Sequence, residues 1–111
     1  MPHDDAVYIA HILELARKAI SKLHGKRRED FDGNEDLRLA LAHLVQTIGE
    51  AARRISPEGR ERIRVVPWHR VIGMRHRIVH DYMDVDYDIL WQVVTENLPE
   101  LIELLSPFDS R

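Results

Sequence analysis

The chemistry of this chain is concentrated in eight residues, Arg75-His76-Arg77-Ile78-Val79-His80-Asp81-Tyr82. Three chemistries fit them. The first is RNA cleavage without a metal. An imidazole with an ordinary pKa near ~6.5 can take a proton from a ribose 2′-hydroxyl or give one to a leaving oxygen, and a guanidinium can stabilise charge building on the phosphate. The second is metal binding. His76 and His80 are four apart, a zinc-ligand spacing, with His69 seven residues before His76 and with Asp81 and Asp84 as further ligands. Such pairs arise by chance in a chain with seven histidines, so no metal is assigned. The third is structural, with Arg75 paired to an acid such as Glu50 and His80 a satisfied core residue. On spacing alone the structural reading is the safest.

Val71, Ile72, Ile78, Val79 and Tyr82 fit one face of a helix running from Pro67 to about Tyr82, and Arg75 falls on that face. Burying a guanidinium there unpaired is costly, so it needs a partner or a wet cleft. On an ideal helix, residues seven apart differ by about 20° and residues five apart by about 140°. Arg75 and Tyr82 would then be in line, whereas Arg75 and His80 would not. They could act together at a frayed helix end, or across a dimer axis.

The other elements read as scaffold. Tyr8, Ile12, Leu15, Ala16, Ala19 and Leu23 predict a helix over 5–24 with Gly25 as its stop. Lys26 to Gly33 is charged and aperiodic, hence a loop. Asn34 caps a helix over 35–55 striped by Leu37, Leu41, Leu44, Ile48, Ala51 and Ile55. Gly49 inside it points to a close helix–helix approach. Ser56-Pro57-Glu58-Gly59 is a turn, and the chain up to Val66 a connector. Asp84 or Asp86 caps a last helix striped by Leu90, Val93, Val94, Leu98, Leu101 and Leu105. Pro99 should kink it near Thr95 to Leu98, or restart it there with Asn97 as cap. No strand is expected. Four helices with short connectors predict an all-α antiparallel bundle, a single domain over residues 1–111.

Composition narrows the function classes. The chain has no cysteine, which removes disulfides and thiolate chemistry and suits a reducing, cytoplasmic setting. No basic-then-apolar leader opens the chain, and no apolar run approaches membrane-spanning length. The net charge is −3, but its distribution matters more. Residues 53–80 carry eight arginines against Glu58 and Glu61, while residues 81–111 carry eight acids against Arg111. A local basic patch attracts phosphate even on an acidic protein. Arg60, Arg62 and Arg64 taken alone are better read as a solvated loop.

Arg75-x-x-x-x-His80-x-Tyr82 resembles the motif of HepT toxins, within the HEPN superfamily of helical ribonucleases. Ile48-Gly49-Glu50-Ala51-Ala52, Val66-Pro67-Trp68, Gly73-Met74-Arg75, Asp84-Val85-Asp86, Leu90-Trp91 and Leu98-Pro99 extend the likeness in order, from about Val7 to Leu105. The resemblance implies an HEPN bundle, usually a homodimer, with both copies' motifs facing one composite cleft that cuts RNA without a cofactor. It makes Arg75 and His80 the catalytic pair. His76, at a position usually polar and often Asn, becomes an auxiliary group with Arg77. It also implies a partner, the MntA-type minimal nucleotidyltransferase antitoxin, which would transfer AMP to Tyr82. The alternative it leaves open is a non-catalytic HEPN module that is only the substrate and partner of that enzyme.

Overall fold

The computed structural model describes residues 3–81 and 84–111, and its fold is all-α apart from one short ribbon. Helix α1 (His3–Leu23) buries Ile9, Ile12, Leu13, Ala16, Ala19 and Leu23. It stops at Gly25, whose φ of 72° lies in the left-handed region that glycine tolerates best. Helix α3 (Glu35–Arg53) starts where expected. The Asn34 side chain accepts from the Leu37 N–H at 3.0 Å, and Leu41, Leu44, Val45, Ile48 and Ala52 turn inward. Helix α1 packs on α3 along most of its length and on α8 (Leu98–Leu105) on its other flank.

The stretch expected to be a loop contains a short helix, α2 (Arg28–Asp32). Its one large apolar residue, Phe31, is fully buried, with ring centroids 5.2 Å from Trp91 and 6.3 Å from Tyr87. Arg28 bonds Asp32 at 2.8 Å and Asp88 at 2.5 Å, tying α2 to the last helical rod. Asp88, then Asp32, hold the Arg28 guanidinium above its ordinary pKa. A single buried aromatic has no periodicity, so pattern could not reveal this helix.

The connector after α3 also folds into a helix, α4 (Pro57–Arg62), capped by Ser56, whose hydroxyl accepts from the Gly59 N–H at 3.0 Å. Asp5 is 1% exposed and clamps this joint. Its carboxylate accepts from the Ser56 N–H at 2.8 Å and from the Ser56 hydroxyl at 2.5 Å. Asp5 therefore does more than begin α1. It joins the first helix to the fourth.

The helix expected over 67–82 is three pieces. Helix α5 (Trp68–Ile72) ends at Gly73, helix α6 (Met74–Ile78) follows at once, and strand β1 (Val79–Asp81) leaves it. Strand β2 (Asp84–Val85) returns antiparallel, with Val79 opposite Val85 and Asp81 opposite Asp84, across a register irregularity. The Asp86 N–H donates to the Ile78 carbonyl at 2.6 Å and latches the base of the ribbon. Val79 has φ −117° and ψ 102°, which is extended backbone, a geometry that the β-branched pair Ile78–Val79 favours over helix.

The last rod is split, as Pro99 requires. Helix α7 (Tyr87–Gln92) is capped by Asp86, which accepts from the Ile89 N–H at 3.0 Å. It passes into a π turn (Val93–Asn97), and α8 follows. The Leu98 N–H reaches back five residues to the Val93 carbonyl. Pro99 has no N–H to offer to Thr95 and its ring crowds the turn before it, so the ladder widens by one residue.

Candidate active site

Gly49 sets the position of the site. A Cβ there would lie 3.4 Å from the Ile72 carbonyl and 3.5 Å from that of Val71, so α3 and the end of α5 approach with no side chain between them. The next residue, Glu50, therefore faces the start of α6. Its Oε1 is 3.9 Å from an Arg75 Nη and 3.4 Å from an Arg53 Nη. Trp68 anchors the other end of α5, donating its indole N–H to the Ile63 carbonyl at 3.0 Å.

Arg75 does not lie on the apolar stripe. Val71, Met74 and Ile78 are buried and form that stripe across the Gly73 break, while the Arg75 side chain is 55% exposed. Its cost of burial is therefore small, and so is the gain from Glu50, itself 45% exposed. Pairs of this kind contribute about 0–1 kcal/mol. The expected pairing with Glu50 exists, but it is a surface contact shared with Arg53 and not a buried ion pair. Arg53 is the residue that sequence reasoning missed here. Its position one turn after Glu50 was the available signal.

His76 and Arg77 are exposed on α6 beside Arg75. The backbone of His80 belongs to β1, so Arg75 and His80 sit on successive elements with the helix end between them. The sequence allowed for a frayed helix end at His80, and the backbone there is a paired strand instead. The alignment of Arg75 with Tyr82 along one helix is overturned, because the helix stops at Ile78. Tyr82 itself lies outside the described residues, as does the side chain of His80. Among the described residues no group of three His, Asp or Glu is placed to hold a metal ion. No described helix is long and apolar enough to cross a membrane.

The arginines around the site divide by what they do. Arg60 donates to the Arg53 carbonyl at 2.8 Å and closes the end of α3, so it is not a free loop charge. Arg64 is 3.7 Å from Glu61 on the surface. Arg70 and Arg77 make no ion pair among the described residues.

The close approach of α3 and α5 at Gly49 thus sets an exposed arginine just before a histidine-bearing strand. The chain belongs to the ribonuclease HepT-like family, whose model matches residues 9–108. It is 35% identical over 94 residues to a proposed RNase of Caldanaerobacter subterraneus subsp. tengcongensis, covering 85% of this chain and 84% of that protein. It is 33% identical over 98 residues to a proposed RNase of Methanocaldococcus jannaschii, covering 88% and 90%. A protein of Thermococcus cleftensis named "Probable ribonuclease HepT" is 32% identical over 73 residues, 66% of each chain. No solved structure matches.

Proposed function

We propose that this chain is the toxin of a toxin–antitoxin pair, an endoribonuclease that works without a metal in a cleft shared by two copies. Membership of a ribonuclease family supports the reaction class. The observation that carries the residue assignment is the exposure of Arg75, held by one long surface contact and free to meet a phosphate. In the reaction, a histidine takes the proton of the ribose 2′-hydroxyl. The 2′-oxygen bonds to phosphorus, and the 5′-oxygen leaves with a proton. Arg75 stabilises the charge on the phosphate oxygens. Arg75 and His80 are the catalytic pair, with His76 and Arg77 as auxiliary groups. A homodimer supplies a second histidine, so that one accepts the proton and the other donates it. RNA is the substrate, and the setting is cytoplasmic.

The same reading assigns Tyr82 as the control point. A nucleotidyltransferase of the MntA type would join the tyrosine oxygen to the α-phosphorus of ATP and release pyrophosphate. The added phosphate and nucleoside, two residues from His80, would obstruct RNA entry.

The test is cleavage of RNA in EDTA by the purified chain. Activity should persist in EDTA and fall by about a hundredfold or more in Arg75→Ala and His80→Ala, with circular dichroism unchanged. Cleavage that requires added metal, or full activity in both variants, would refute the assignment. For control, intact mass after co-expression with the transferase should rise in AMP steps that are missing from Tyr82→Phe.

A further inference from the structure

A cavity of about 370 Å³ lies on the other side of α5 and α6 from Glu50, between those helices and the π turn with α8. Its floor is apolar, made by the buried Val71, Met74 and Leu101. Its polar wall carries Gln92, Asn97 and Glu100, and its cationic side carries Arg70 and Arg77. The Asn97 Oδ1 is buried and has no hydrogen-bond partner. That oxygen is shut off from the cavity space, so the polar groups open to a ligand are those of Gln92, Glu100 and the two arginines.

We propose that this cavity is a nucleotide subsite that takes a guanine base with its phosphate. The volume suits one nucleotide, and the apolar floor suits the face of a base. The wall offers the two oxygens of the exposed Glu100 carboxylate as acceptors, with the Gln92 amide able to donate. The pairing edge of guanine offers the complement, two adjacent donors at N1 and N2 beside the O6 acceptor. Uracil offers one donor between two acceptors and fits that wall poorly. The Glu100 charge turns the phosphate away from the wall, towards Arg70 and Arg77, whose guanidinium forks fit phosphate oxygens. Arg77 lies two residues from Arg75 on α6, about 200° round the helix, so a strand seated here would cross that helix to reach the proposed cleft. The identity of the strand as substrate rests on the proposed function, but the nucleotide site does not.

The experiment is calorimetric titration of the full chain with GMP, AMP, CMP and UMP, followed by cleavage mapping on RNAs that differ only in guanine or uracil at one position. GMP should bind about tenfold or more tightly than UMP. Glu100→Gln should remove most of that difference, and Arg70→Ala should weaken all four nucleotides alike. Equal affinity for all four, or no binding at millimolar concentration, would overturn the subsite. A cleavage pattern that follows guanine identifies the occupant as a unit of the RNA strand. GMP binding with cleavage indifferent to guanine identifies it as a free nucleotide. Cleavage without nucleotide binding defeats this inference alone, and binding without cleavage defeats the proposed activity alone.

Discussion

At the scale of single residues, the informative group is Glu50. It stands 3.4 Å from Arg53 and 3.9 Å from Arg75, in competition with any phosphate that Arg75 would bind. Its removal should barely change stability, since half-exposed pairs contribute about 0–1 kcal/mol. Glu50→Gln should therefore keep its melting temperature and bind RNA a few-fold more tightly at low salt, because one repelling charge is gone. Fluorescence anisotropy with a labelled RNA checks this. Weaker binding would instead mean that Glu50 holds Arg75 in its working pose. The sequence singled out Arg75, His76, Arg77 and His80, because charge and imidazole stand out against an apolar pattern, and offered Glu50 only as a structural partner for Arg75. It placed Arg75 on the wrong side of the helix, because the stripe was counted through Gly73 without a break. Asn97 reads as a helix cap in the sequence, but its side chain makes no capping bond and its Oδ1 is left without a partner, because what packs around it is not written in the pattern.

At the scale of elements, the joint between α1 and α4 is the tightest fit. A Cβ at Gly59 would sit 2.5 Å from the Asp5 Oδ2 and 3.0 Å from the Ile55 Cγ2. Asp5 cannot withdraw without giving up both of its bonds to Ser56. Gly59→Ala should cost about 1–3 kcal/mol in chemical denaturation, despite the higher helix propensity of alanine. An unchanged midpoint would show that the joint yields. The long helices were legible because they repeat. Asn34, Gly25 and Asp86 bound them as cap and stop chemistry dictates. Helices α2 and α4 were not legible, being too short to show a period. Their anchors are one aromatic, Phe31, and one carboxylate, Asp5. The ribbon escaped for the same reason, since Val79–Asp81 and Asp84–Val85 hold too few residues to alternate.

At the scale of the whole molecule, the chain is 43 × 30 × 19 Å, about two helix diameters at its thinnest. A slab of that depth cannot enclose an RNA strand, and Arg75 stays open to solvent. If two copies form the cleft, specific activity should fall as the protein is diluted through its dimer dissociation constant. Sedimentation at the same concentrations gives that constant independently, and a flat activity profile through dissociation would show that one copy suffices. The π turn has a separate consequence, for descent rather than chemistry. The Leu98 N–H spans five residues to the Val93 carbonyl where an α-helix would span four. That stretch holds one residue more than a regular helix needs. A lineage that lost one residue there would regain regular α spacing, apart from the N–H that Pro99 lacks, and still present Leu98, Leu101 and Leu105 to the same core. The same loss inside α3 would rotate half of its buried face into water. Length variation among relatives should therefore gather at Val93–Asn97, and with it variation in the cavity that Asn97 lines.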